Sequence, residues 1–280
     1  MPLVTEILRP VLAFVIAAAV FGLIERLGRL DRGGPPWRRQ GFLTDLGWWM
    51  LTPIFTRAVT RFGVGVAVFL IAWVSLGQPV GKEALRGFVA RETWASALPL
   101  PLELLLTLTA ADLLGYWIHR AFHRGWLWRS HAVHHSSERL DWLAAVRVHP
   151  LNDLVSGVVR VTALVLAGFR PTVLAGVVPF LTGYALLLHA NVPWSFGRVG
   201  RVIASPLFHR HHHARDVVGD GVNFGGFFTL WDRLFGTFHL PEGAPAPPTG
   251  IREPMPTSMT GQLRFPFARR ERLATSPRGT

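Results

Sequence analysis

Long apolar runs dominate this sequence and leave few folds open to it. Residues 10–24 read PVLAFVIAAAVFGLI, and further runs cover 45–77, 99–118, 152–168 and 171–188. Inside a bilayer every backbone polar group must find a partner within the chain, so segments of this length resolve as helices. Half of the 280 residues are hydrophobic and only 16% are charged, a balance ordinary for membrane proteins and unusual for soluble ones. The expected fold class is all-α: a polytopic helical membrane protein with a histidine-rich helical cap on the cytoplasmic side.

The charge pattern orients that bundle. The net charge is +12, but the basic residues sit between apolar runs rather than over a polar surface, which argues for cytoplasmic loops and against nucleic acid. Residues 25–40 carry Arg26, Arg29, Arg32, Arg38 and Arg39 and read as such a loop. Their basic flank follows the first run instead of leading it, so that run, extended by residues 4–8, is expected to be a retained helix and not a cleaved signal. Arg57 and Arg61 divide the second run into an aromatic, interfacial half and a cleaner span over 62–76. Polar residues 78–92 fall on the opposite side. The runs at 152–168 and 171–188 are joined by Phe169-Arg170-Pro171 and read as a transmembrane hairpin. Counting crossings from residues 25–40 returns both histidine-rich stretches to the cytoplasmic face.

Three divisions follow: 1–98, N-terminal transmembrane helices and a basic loop; 99–240, a catalytic domain; and 241–280, a flexible tail. The tail opens with PEGAPAPPTG and carries Arg252, Arg264, Arg269, Arg270, Arg272 and Arg278. With no cysteine in the chain, disulfides, iron–sulfur clusters and thiolate metal sites are excluded.

The 12 histidines are distributed unevenly. Residues three and four apart share one helix face. His119 and His123 are four apart in HRAFH. His131, His134 and His135 follow as HAVHH. His209, His212 and His213 repeat that spacing inside HRHHH. Each set can aim its imidazoles at one point, whereas His211 lies about 200° around the helix from His209 and is expected to face away. Eight imidazoles exceed the needs of one ion and suit two, each keeping an open position. Ligand type alone leaves Zn, Cu, Fe and Ni open. His149 in RVHP and His189 in HANVPW complete the coordination or support it from outside; His239 is expected to be structural. Asp112, Tyr116, His119 and His123 form one stripe. An ionisable Asp112 within an apolar span needs a partner, either the outer N–H of a ligating histidine or another helix.

These boxes, in this order and between these spans, resemble the fatty acid hydroxylase / sterol desaturase superfamily of membrane di-iron enzymes, over roughly residues 102–238. Its pattern of HxxxH, HxxHH and a distal HxxHH maps onto His119/His123, His131/His134/His135 and His209/His212/His213. DLLGYWIHRAFH, RVHP and NFGGFFTLWDRLFGTF are similar to its flanking segments. One departure is Asn152-Asp153 after RVHPL, where an acidic residue usually comes first. The resemblance implies two iron ions, O2, a lipid-like substrate drawn from the bilayer and an external electron donor, a cytoplasmic electron-transfer protein. The outcome is hydroxylation of a C–H bond, or desaturation. It also implies that Asn223, Trp231 and Asp232 support or pack the site.

Two other classes compete. A zinc-dependent membrane hydrolase needs a general acid or base near the metals, for which Glu138 and Asp141 are the near carboxylates. A metal transporter or sensor needs histidines along a path within the spans, whereas these sit at span ends. Arg120, Arg124, Arg129 and Arg147 are candidates for anionic headgroups or an acidic electron carrier, or simply obey the positive-inside rule.

Overall fold

The computed structural model describes residues 2–30, 36–216, 221–243 and 245–268, with backbone alone for 2–7 and 36. Arg32, Arg269, Arg270, Arg272 and Arg278 lie outside these residues. Regular structure among the described residues is helical, with isolated β-bridges pairing Ile203 with Phe228 and Ala214 with Thr249.

The membrane-spanning part is built from α1 (Pro2–Gly28), α2 (Phe42–Leu51) continuing into α3 (Arg57–Leu76), then a short α4 (Lys82–Val89) and α5 (Leu100–Phe122). Among the described residues, four helical stretches are long and apolar enough to cross a bilayer: Leu8–Gly28, Phe42–Leu76, Leu100–Phe122 and Pro171–His189. Residues 42–76 form one continuous rod, although Pro53 lies inside it. Proline has no N–H to donate, and the π-turn Thr52–Thr56 absorbs the break. At 1.5 Å per residue the rod is about 52 Å long, well over the ~30 Å hydrocarbon core. The α2 end of the rod packs into the cap, where Trp48 is buried against Val133 and Phe265.

Between α5 and the hairpin lies α6 (Trp128–His135). The hairpin itself is α7 (Pro150–Leu166) and α8 (Pro171–His189). Its turn is fastened by Trp94, whose indole donates to Ala167 O (2.6 Å), and by Arg170, which grips buried Glu103 through both carboxylate oxygens. α7 crosses α3 at small residues. A Cβ built on Gly157 would lie 2.5 Å from Thr60 Cγ2, and one on Gly63 would lie 2.7 Å from Leu154 Cδ1. Such close approach lets apolar helices gain dispersion contacts where lipid offers no hydrophobic drive.

The cap is completed by α9 (Pro206–His212), α10 (Leu230–Leu234) and α11 (Met259–Arg264). A buried ion network ties α2 to the loop that follows α6. Arg39 bonds Asp141 (2.5 Å) and Asp45 (2.6 Å), and Arg147 bonds the other oxygen of Asp45 (2.5 Å). Arg147 is thereby committed inside the cap and is not a surface arginine for headgroups or carriers. Arg129 is likewise turned inward, onto the carbonyls of Phe265 and Ala268. The expectation of a free tail fails up to residue 268. Ile251, Met255, Met259, Leu263 and Phe265 pack on Trp48, Trp128 and Val133, and the Trp48 indole donates to Gln262 Oε1 (2.8 Å). The Pro-rich linker crosses a short gap and the chain then docks.

Gly157→Val is expected to lower stability by about 1–3 kcal/mol, because overpacking forces α3 and α7 apart. Thermal unfolding in detergent micelles checks this. Gly176→Ala, where a Cβ meets nothing within 4 Å, should leave the midpoint unchanged or slightly raised.

Candidate metal centre

Four chain segments end at the same level and deliver histidines there. α5 contributes His119 near its last turn and His123 at its C-cap. α6 carries His131, His134 and His135 on one face. α8 ends on His189, and α9 carries His209 and His212, with His213 at its C-cap. Nine imidazoles meet in two groups: His119, His123, His131, His135 and His212 in one, His134, His189, His209 and His213 in the other. Within each group the candidate ligand atoms lie within 4.8 Å of one another. The groups adjoin, with the His135 and His213 rings stacked at 4.2 Å.

Hydrogen bonding sets the tautomer of five of these rings. Nδ1–H donates to a carbonyl or amide oxygen in each: His119 to Phe224 O (2.9 Å), His131 to Asn152 Oδ1 (2.9 Å), His134 to Arg147 O (3.3 Å), His189 to Ala185 O (2.7 Å) and His212 to Val222 O (2.7 Å). A carbonyl oxygen only accepts, so the proton is on Nδ1 and the Nε2 lone pair is left bare. Those lone pairs face inward. His134 Nε2 lies 3.2 Å from His189 Nε2, with no proton between the two neutral rings. His189 and His209 Nε2 are 3.3 Å apart, His209 and His213 Nε2 3.2 Å, and His131 and His135 Nε2 3.2 Å. Nε2 of His119, His123 and His212 is buried without a partner. Burial, reinforced by the neighbouring rings, holds His131, His134, His135, His209, His212 and His213 well below the ordinary imidazole value, so added protons do not relieve the crowding. Converging imidazole nitrogens in a buried site, five of them with the lone pair bared by a hydrogen bond at Nδ1, are what a divalent transition-metal ion requires, and each of the two groups could hold one.

Supporting groups hold the donors. Asp232 accepts from Phe224 N (2.7 Å), Gly225 N (2.8 Å) and Thr237 Oγ1 (2.7 Å). It thus fixes the carbonyl that orients His119. Asn223, at φ 58°, donates to Phe208 O and His239 O, and so braces α9. Tyr116 bonds Thr237 Oγ1 (2.9 Å) and receives Arg120 (3.0 Å). Asp112 does not meet a histidine. Its carboxylate accepts from Phe227 N (2.8 Å), Phe228 N (2.9 Å) and the Trp231 indole (2.9 Å), pinning the 224–231 loop to α5. A loop with several unpaired N–H groups attracts a carboxylate more strongly than one imidazole does.

His149 stands outside both groups. Its Nδ1 accepts from Leu151 N, capping α7, and its Nε2 donates to Leu263 O (3.0 Å), anchoring the docked tail. Both nitrogens are spent. His211 also lies outside the groups, beside the His239 ring, as its helical phase requires. Sequence reasoning gave Asn152 no role, yet it orients His131. The signal was its place one turn into the helix that RVHP opens.

A sequence model of the fatty acid hydroxylase family matches residues 104–237, a segment that contains all nine clustered histidines. Residues 104–237, just under half of the chain, are similar to the fatty acid hydroxylase family. An ornithine lipid hydroxylase of Rhizobium tropici is 27% identical over 262 residues, covering 92% of this chain and 76% of that protein. The alkylglycerol monooxygenase of Homo sapiens is 32% identical over 124 residues, 44% of this chain and 27% of that one. A Delta(7)-sterol 5(6)-desaturase of Aspergillus fumigatus is 24% identical over 198 residues, 69% of this chain and 57% of that one. The match to the lipid hydroxylase thus runs through the N-terminal helices, while the match to the monooxygenase covers little more than the family domain. No solved structure matches.

Asn152→Ala should weaken metal binding about 10- to 100-fold, the usual effect of losing a hydrogen bond that orients a ligand; competition with a chelator measures it. The pH dependence has a defined sign. The cage rings outside the spans bind protons less readily when folded than at their ordinary value of 6.5 when unfolded. Metal-free protein should therefore lose stability as pH falls below about 6.5 and hold it above. A melting temperature flat from pH 8 to 5.5 contradicts this.

Proposed function

We propose that the chain is a membrane-bound di-iron oxygenase that uses O2 to hydroxylate a C–H bond of a lipid-like substrate, with desaturation the outcome when a second hydrogen is removed. It is an oxidoreductase. Its relatives are named as a lipid hydroxylase, monooxygenases and a sterol desaturase, and a bilayer-facing site suits substrates of that kind. The observation that carries the reading is the donor set: nine clustered imidazoles and no carboxylate in either group. His119, His123, His131, His135 and His212 would hold one iron, and His134, His189, His209 and His213 the other. Bound there, iron supplies the one-electron redox chemistry needed to reduce O2 and oxidise an unactivated C–H bond.

The chain's own contribution is positional. Phe224, Val222, Ala185 and Arg147 carbonyls and the Asn152 amide keep five rings in one tautomer. Phe122 and Phe224, both nearly fully buried, pack against the cage rings and shield the donors from water. Inserting one oxygen atom into C–H and reducing the other to water consumes two electrons and two protons. An external donor, a cytoplasmic electron-transfer protein, must deliver the electrons. The cytoplasmic orientation rests on the basic 25–40 loop, which emerges beside the cage: Leu30 N bonds Asn191 O, two residues beyond His189. Residues 99–240 form the catalytic unit in this reading, residues 1–98 its membrane scaffold, and 241–280 a tail whose docked part buttresses the cage.

A zinc hydrolase lacks its general base here. Asp141 is locked to Arg39, and Glu138 is largely exposed and paired with Arg215 at 3.1 Å. The ligands sit at span ends rather than along a path, which disfavours transport.

Purified protein should contain two irons per chain and consume O2 when given a chemical reductant and an extract of total membrane lipid. His134→Ala and His212→Ala should abolish both iron loading and O2 consumption, and His211→Ala should retain most of each. Zinc in place of iron, with no O2 uptake, would overturn the assignment.

A further inference from the structure

One charged side chain below the cage has no role in anything described so far. Arg160 lies in the middle of α7, eight residues beyond Asn152 and so about 12 Å deeper along the helix. Its guanidinium crosses to α5, where a Cβ on Gly115 would lie 3.2 Å from the Arg160 terminal nitrogen. Gly115 is one turn, about 6 Å, from His119. The guanidinium therefore sits on the membrane side of the metal cage. Its Nε is buried without a partner, and none of the ion pairs among the described residues includes it.

Charge balance is not what this arginine lacks. Asp112 and Asp153 lie within electrostatic range of it, and Arg57 within range of Asp153. Two cations and two carboxylates offset one another. Asp112 has already committed its oxygens to Phe227 N, Phe228 N and Trp231. The unmet requirement is for a hydrogen-bond acceptor: of the five N–H donors of a guanidinium, the Nε–H is buried without one, and leaving it bare in an apolar region is costly. A neutral oxygen meets that need without adding a third negative charge.

We propose that Arg160 is a substrate-binding residue that donates to a neutral oxygen, an ester or amide carbonyl, of the lipid entering beneath the cage. Gly115 is the position that leaves room for the guanidinium to do so. The inference narrows the substrate class from any lipid-like molecule to one carrying a carbonyl near the oxidised carbon. It rests on the oxygenase reading only for calling the bound lipid a substrate, and its test needs no turnover.

The probe is methyl palmitate labelled with carbon-13 at the ester carbonyl, bound to the iron-loaded, detergent-solubilised protein and observed by infrared spectroscopy. The carbonyl stretch should move to lower wavenumber on binding to the wild-type protein. It should return to the free-ester position in Arg160→Leu, with affinity about tenfold lower, the loss of one charge-assisted hydrogen bond. Arg160→Lys, which retains a donor, should keep part of the shift, and Arg160→Gln provides a second neutral variant should the leucine protein fail to fold. Metal content must match wild type in every variant compared. An unshifted carbonyl in the wild-type protein, or octadecane binding as tightly as the ester, overturns the proposal. Palmitate anion displacing the ester at lower concentration would also overturn it, because the site would then be one for negative charge. Absence of iron from the wild-type protein sinks the oxygenase reading instead, and is seen before any probe is added.

Discussion

Nine clustered imidazoles, five of them held by hydrogen bonds with a bare Nε2 turned inward, are the condition on which the rest of this molecule is arranged. Two bare nitrogens 3.2 Å apart, as in His134 and His189, repel. The same rings are kept in register from behind by carbonyl oxygens that accept their Nδ1 protons. Only a cation at the centre turns that opposition into attraction, and burial denies the rings the cheaper route of taking up protons. The arrangement is thus poised for metal by its hydrogen bonds as much as by its ligand count.

The scaffold can be understood as what keeps those carbonyls in place. Asp112 is anchored in α5 and gathers three donors of the 224–231 segment. Asp232 fastens the start of that segment, and through Phe224 O the pair reaches His119. On the other side, Arg39, Asp45 and Arg147 fix the loop whose backbone orients His134. Buried ion clusters of this kind add little net stability but are severely destabilising when broken, so they hold one geometry against alternatives. The docked C-terminal segment closes the cap through His149 and Leu263.

Much of this was legible from residue order. Run length identified the spans, i, i+3, i+4 spacing put each histidine set on one face, and helical phase alone set His211 apart. Other features were hidden for reasons that are physical. The stripe on α5 offers Asp112 a histidine or another helix as partner, but its partners are more than a hundred residues away, and two of the three are backbone N–H groups, which carry no residue signature. His149 has the composition of a ligand, yet both its nitrogens are consumed by neighbours, one of them in a tail whose Pro/Gly/Ala linker suggested disorder. Asn152 looked like a departure from a pattern and turns out to hold a ring.

Local periodicity by itself determined that this chain forms apolar helices, that its histidines cluster at helix ends and that several of them share a face, because those properties depend on residues within a few positions of one another. Which nitrogen of each ring is free, how nine rings divide into five and four, and which carboxylates and arginines are spent on scaffolding were decided only by tertiary structure. Most of those outcomes depend on groups brought from distant segments, and many of these are main-chain oxygens and amides, which carry no residue signature.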